Sequence, residues 1–421
     1  MMQNRMTATL THGSMRLALL LLLAFLGLAL PARSQQDAGA ARRTVAAIED
    51  LLKQRPNDAT LWFHLSRLRA ELGERDAATA AMEKVNELGE GFLPSRGNGF
   101  EKVWGYVPFQ TVRSKMEARL ARLDFAPTAF ILDDHTLLPE GIAHDPHSRR
   151  FYVGSITQRK VMQVEPDGTV AEFAGAAAKL DAVLGLAIDA PRRVLYVVST
   201  SALTREGEKT LRNAVLAFDV DTHRLLKRYD APGAQQLNDV AVAPGGRVFA
   251  SDSASGAILE IAVKGPGPTR EVVPGGRIRG SNGLASSPDG KRLYVAHSTG
   301  LAVVEIASGE VRRVANDTRE TVAAIDGLYE WQGQLIGVQN LTTPGRVILV
   351  TLSRDGASVE RVQTLLSHHH NALDEPTTGA IARDGFYLLA ATGVSHYNRD
   401  GVIERPDTLP APTVVRIPLP R

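Results

Sequence analysis

Six short phrases of one shape recur along the last 290 or so residues of this 421-residue chain, and they restrict its fold more than any other feature. They are EGIA from Glu140, LGLA from Leu184, NDVA from Asn238, NGLA from Asn282, DGLY from Asp326 and TGAI from Thr378. Their spacings are 44, 54, 44, 44 and 52 residues. After most heads comes an apolar run, a tight turn (DPHSRR, APGGR, SPDGKR, WQGQ) and a second run (FYVGS, VFASD, LYVAHS, LIGVQN). A third run often follows, as in VMQVE, AILEIAV, AVVEI and RVILVTL. A period near 45 with several short strands per unit is the signature of a β-propeller. The expected fold is mainly β: a six-bladed β-propeller over 128–421, preceded by a small α-helical segment. TAFIL, 128–132, is placed to supply the outer strand of the last blade and so remove the open sheet edges.

The innermost strand of each blade lines the central channel, so equivalent positions face one axis. Taken singly, an Asn or Asp before Gly is a turn residue. At one register in four of six blades, Glu140, Asn238, Asn282 and Asp326 read as a set. Two carboxylates and two carboxamides converging away from bulk water require partners. A hard divalent cation satisfies them. Oxygen-only ligands suit Ca2+ best, with Mg2+, Mn2+ or Zn2+ as substitutes. The chain has no cysteine, which excludes disulfides, thiolate metal sites and a cysteine nucleophile. The net charge is +2 and no basic stripe with interleaved aromatics occurs, so nucleic acid is not an expected partner. No GxSxG elbow, P-loop or dinucleotide fingerprint is present.

The motifs PEGIA, NDVAVAPGGRVFASDS, SNGLASSPDGKRLYVAHS and IDGL resemble the senescence marker protein / gluconolactonase family of six-bladed propellers, over about residues 128–420. The resemblance implies a catalytic calcium held by Glu140, Asn238, Asn282 and Asp326. It also implies lactone hydrolysis in which Asp326 takes a proton from the attacking water. The chain departs from the family in three places. Gln236 stands where sugar-lactone hydrolases of the family carry an arginine, blade two begins with Leu184, and a helical segment precedes the propeller.

Other residues attract notice. SHHHN, 367–371, places His368, His369 and His370 before the sixth head, where the expectation is a solvated loop and the alternative is one ring reaching over the channel mouth as a base or metal ligand. His144 and His147 flank a turn, and His297 ends a second strand from which it could face the channel.

The amino terminus carries Arg5 and Arg16, an apolar run at 17–30, and small residues at Ala32 and Ser34. This pattern predicts a signal peptide over 1–34 and a periplasmic or secreted mature protein with no membrane segment after cleavage. Residues 40–125 carry helical periodicity. Pro56 breaks it, Asp58 is a cap, and Gly73 turns the chain. Trp62, Leu65, Gly73, Ala78 and Met82 resemble the large and small positions of a tetratricopeptide repeat, although only about one and a half units are present. Two readings of this segment follow: a surface for a protein partner, or helices packed on the propeller. GEGFLPSRGNG reads as a loop and TVRSKMEARLARL as a further helix. Two functions are expected in turn. The first is a calcium-dependent hydrolase of a lactone or related ester. The alternative is a non-catalytic, calcium-stabilised scaffold that binds a protein or ligand.

Overall fold

The computed structural model describes residues 35–203, 210–263, 265, 269–397 and 402–420, with the side chains of 35–38 set aside. The expected signal peptide lies outside these residues. Among them, no helix is long and apolar enough to cross a membrane.

Each repeat folds into one antiparallel sheet, and six sheets form the six blades of a propeller. In blade 1 the strands are Pro139–His144, Phe151–Ser155, Val161–Val164 and Val170–Ala174, paired in that order from the axis outward. Blades 2 to 5 repeat this order, and blade 5 gains a short parallel strand, Ala315–Asn316, at its outer edge. Blade 6 takes its outer strand from the other end of the propeller: Thr128–Ile131 pairs with Thr413–Ile417 through Phe130↔Val414 and Ile131↔Thr413. That pairing closes the ring and covers what would be an open edge.

Sheets pack face to face through Val, Ile, Leu and Ala at alternate positions. Blades 3 and 4, for example, share Phe249, Ile258, Leu293, Val295 and Val304, all fully buried. Glycine follows the head in five blades for a steric reason. A Cβ at Gly141 would collide with the Leu184 carbonyl, and one at Gly283 with the Asp326 carbonyl. One at Gly185 would lie 2.7 Å from Asp239 Cα. The head of each blade thus rests directly on the next, and the ring ends where the Thr377 and Thr378 hydroxyls donate to the Glu140 carbonyl.

Among the described residues four α-helices precede the propeller: α1 (Gln35–Gln54), α2 (Ala59–Leu72), α3 (Arg75–Leu88) and α4 (Val107–Glu117). Asp58 caps α2 by accepting from the Leu61 N–H at 3.1 Å, and Gly73 ends it at φ 80°. α4 begins earlier than TVRSKMEARLARL suggests, because Pro108 suits a first helical turn. It ends at Glu117, since beyond Met116 the chain offers only half-buried Leu120 and exposed Leu123. The stretch between α3 and α4 is more than a loop. Phe92, Leu93, Phe100 and Val103 are fully buried, and Phe100 stacks on Phe109 and meets Phe63 edge-on. These rings give the helical layer a core of its own.

The layer sits on the propeller face where the heads begin, over blades 4 to 6. Glu90 N–H donates to the Arg319 carbonyl at 2.8 Å, and Thr321 N–H to the Glu90 carbonyl at 3.0 Å. Leu93 N–H donates to the Thr342 carbonyl at 2.7 Å, and His64 Nε2 lies 3.4 Å from the Ser298 carbonyl. The triple histidine belongs to this joint and is not a solvated loop. His370 is buried with Nε2 2.8 Å from the Ala126 carbonyl, His369 Nδ1 meets Ser367 Oγ at 2.9 Å, and His368 lies 3.6 Å from Glu117. The His368 and His369 rings lie against each other at 4.0 Å between centroids, while His370 is turned to the Ala126 carbonyl.

Burial of His64 is expected to make the joint pH-sensitive. Burial, with Arg67 adding repulsion, pushes its pKa down to about 3, against about 6.5 for an unfolded histidine. Between these values the unfolded chain binds more protons than the folded one. The stabilisation is therefore complete above pH 6.5 and is lost as pH falls towards 3. Hydrogen exchange in α2 and α3, corrected for intrinsic rates, is expected to be faster at pH 4 than at pH 7, and His64→Gln is expected to flatten that difference. Equal protection at both values would show that His64 does not govern the joint.

Candidate functional site

The four oxygen-bearing heads sit at or just before the start of innermost strands, on the face that carries the helical layer. Glu140 is 8% exposed, whereas Asn238, Asn282 and Asp326 are half-buried, so the cluster reaches the channel mouth. Asn282 Nδ2 donates to Asp326 Oδ1 at 2.8 Å across the blade 4–blade 5 boundary. Asn238 Nδ2 donates to Ser253 Oγ at 2.8 Å, and that hydroxyl donates to the Ser281 carbonyl at 2.6 Å, one residue before Asn282.

These bonds orient both carboxamides. An ionised carboxylate only accepts, so Asn282 must turn its NH2 towards Asp326. The Ser253 proton is committed to a carbonyl, so its oxygen accepts from the Asn238 NH2. In each amide the carbonyl oxygen is the atom left for another partner.

The carboxylates are under electrostatic strain. Burial raises the pKa of Glu140 well above its usual value, and the charges of Asp326 and Asp239 raise it further. Burial pushes Asp326 up to about 6, against the opposing hydrogen bonds from Asn340 and Asn282. Glu140 Oε2 is buried and has no hydrogen-bond partner. Among the described residues no group of three or more His, Asp or Glu gathers as a metal cluster. A cation here would depend on the carboxamides as well. The donor set fits a hard dication: two carboxylates to neutralise it, two amide carbonyls turned away from their own NH2 contacts, and one buried oxygen without a proton donor.

Two functional neighbours escaped the sequence reading. Asp239 follows Asn238 where the other five blades have glycine. Its carboxylate accepts from Val240 N–H at 2.8 Å and from Leu284 N–H of blade 4 at 3.0 Å, and burial pushes it up to about 7. The break from xG to ND was visible in the repeat. The second is Asn340, which donates to Asp326 Oδ2 at 2.6 Å. It ends a second strand, as Ser253 does in blade 3, and each supports the head of its own blade. His144 packs against Phe151 at the far end of its strand, and His147 lies in the turn that Asp145 caps. His297 is engaged by Thr299 in its own turn, and burial holds it down to about 4.

Fold and head residues together define a closed six-bladed propeller whose channel mouth is ringed with oxygen donors. Residues 138–330 match the family model of the SMP-30/Gluconolactonase/LRE-like region, and this stretch contains Glu140, Asn238, Asn282 and Asp326. That part of the chain is thus similar to the SMP-30/gluconolactonase-like region. Similar solved structures include a gluconolactonase from Xanthomonas campestris, 18% identical, covering 72% of this chain and 92% of that one at a TM-score of 0.47. A calcium-binding protein, regucalcin, from Agrobacterium tumefaciens is 17% identical over 71% and 95% of the two chains, with a TM-score of 0.46. A luciferin-regenerating enzyme is 14% identical over 70% and 95%, with a TM-score of 0.49. No curated protein sequence matches the chain.

Proposed function

We propose that the protein is a calcium-dependent hydrolase of a lactone or related ester, acting at the channel mouth. The observation that carries this reading is the oxygen set itself: Glu140, Asn238, Asn282 and Asp326 at one register, with both amide NH2 groups already bonded and Glu140 Oε2 without a partner. Glu140, Asn238, Asn282 and Asp326 would hold the cation. Held there, calcium would supply Lewis-acid polarisation of a substrate carbonyl and stabilisation of a developing oxyanion.

Asp326 is the group in reach that combines a carboxylate with partial exposure and two fixed donors. Each of its oxygens keeps a free lone pair beyond its amide contact, so it can accept a proton from an attacking water. Asn282 and Asn340 fix the carboxylate plane. Asp239, buried behind the ring, ties blade 3 to blade 4 and sets the position of Asn238 beside it.

The scaffold reading draws on the helical layer, which occupies part of the same face, and on Gln236 at the mouth. The half-buried state of Asn238, Asn282 and Asp326 favours an accessible site. A panel of lactones and aryl esters, assayed with calcium and with excess chelator, separates the two. The expected result is turnover that disappears with chelation and returns with calcium. Calcium binding without turnover of any lactone or ester would leave the scaffold. The proposed setting is the periplasm or the cell exterior, where calcium is plentiful, and the helical layer also offers a surface to a protein partner.

A further inference from the structure

Asp326 is held by two amides, and one of them, Asn340, is not a head residue. Asn340 Nδ2 lies 2.6 Å from Asp326 Oδ2 and 3.1 Å from the Pro376 carbonyl. Both acceptors lack protons, so both N–H bonds are used and the amide has one orientation. Without Asn340 the carboxylate would be pinned by Asn282 alone and free to turn about its last torsion.

Asn340 opens the turn between the strands Gln334–Gln339 and Arg346–Leu352, and that turn is clamped from outside the blade. Leu93 N–H donates to the Thr342 carbonyl at 2.7 Å. Asn98 Nδ2 lies 3.3 Å from the Asn340 carbonyl and 3.4 Å from the Leu341 carbonyl. At the far end of the turn Arg346 is buried, bonded to Gln339 Oε1 at 2.7 Å, Glu320 Oε2 at 2.9 Å and the Thr321 carbonyl at 3.1 Å. Gly91 of the helical layer lies against its guanidinium so closely that a Cβ has no room. The helical layer thus holds the turn at three points, Gly91, Leu93 and Asn98, while Glu320, Thr321 and Pro376 hold it from the propeller side.

The geometry points to Asn340 as a positioning residue for Asp326, and to the helical layer, through Leu93 and Asn98, as the element that holds Asn340 in place. The layer is then a wall of the site rather than an appendage. This rests on the reading of Asp326 as a cation ligand.

The test is titration calorimetry of calcium chloride alone into the full chain, for wild type, Asn340→Ala, Asn340→Ser, Asn98→Ala and the Asn98→Ala/Asn340→Ala double variant. Melting in chelator shows which variants are folded. Asn340→Ser keeps a polar group in the turn but is too short to reach both acceptors. Both Asn340 variants are expected to weaken calcium binding by about 10- to 100-fold, the usual effect of losing a partner of a metal ligand. Asn98→Ala, which removes two long hydrogen bonds, is expected to weaken it by about 2- to 5-fold. The double variant is expected to bind no more weakly than Asn340→Ala, because both act on one residue. A folded Asn340 variant with wild-type affinity overturns the inference. So does an Asn98→Ala loss that multiplies onto that of Asn340→Ala. If Asn340→Ala does not fold, the serine variant and Asn98→Ala decide in the same way. A wild type that takes up no calcium would instead overturn the metal reading, and this inference with it.

Discussion

Asp326→Asn is expected to reduce lactone turnover by about 10²- to 10⁴-fold at saturating calcium. The substitution keeps the shape of the side chain and one ligand oxygen but removes the proton acceptor and a charge. It also meets a local conflict. Both Asp326 oxygens accept from amide NH2 groups, those of Asn282 and Asn340. An asparagine would turn its own NH2 towards one of them, donor against donor, so weaker cation binding accompanies the loss of the base. Saturating calcium separates the two effects: the part of the loss that persists there belongs to proton transfer. A variant as fast as wild type under that condition would remove Asp326 from the chemistry and leave it as a ligand only.

Calcium is expected to raise the melting temperature, with Glu140 deciding the response. A ligand that binds only the folded ring stabilises by mass action, about 4 kcal/mol at a thousand times its dissociation constant. The sign for Glu140→Ala depends on the medium. In chelator, wild type keeps a buried carboxyl whose Oε2 has no partner and which neighbouring charges oppose. Removing it relieves that opposition, so the variant is expected to melt at or near wild type in chelator and well below it in calcium. Superimposable wild-type melts with and without chelator would rule out the site.

The ring was legible because its cause is local. The head register, the tight turns and the closing strand at 128–131 follow from short-range alternation repeated six times. The glycine after five of the heads was visible, but its reason was not, since at Gly141, Gly185 and Gly283 the backbone that excludes a Cβ belongs to the next blade, about 45 residues away. Asn340 and Ser253 stand 14 and 15 residues beyond the heads they support, across a hairpin whose register could have revealed them. The joint with the helical layer could not be read in that way. His370 and Ala126 lie 244 residues apart, and nothing in the SHHHN run indicates that its rings pack instead of meeting solvent. Likewise Phe92 and Phe100 look like loop residues until the cavity between α2, α3 and α4 shows what they fill.

The joint also bears on the order in which the molecule is made. The helical layer and the strand Thr128–Ile131 leave the ribosome early, yet their partners come last: 242 residues separate Asn98 from Asn340, and Phe130 pairs with Val414. At about 5–20 residues per second, more than ten seconds pass before blade 5 exists to receive the layer. Through that interval the layer has only its own aromatic core, and the first blade has no neighbour on one side. Asp326 and the turn that steadies it thus complete their contacts only once Pro376 has been made, and a chain cut short beyond that point would carry the site residues in a ring that the strand Thr413–Ile417 has not yet closed.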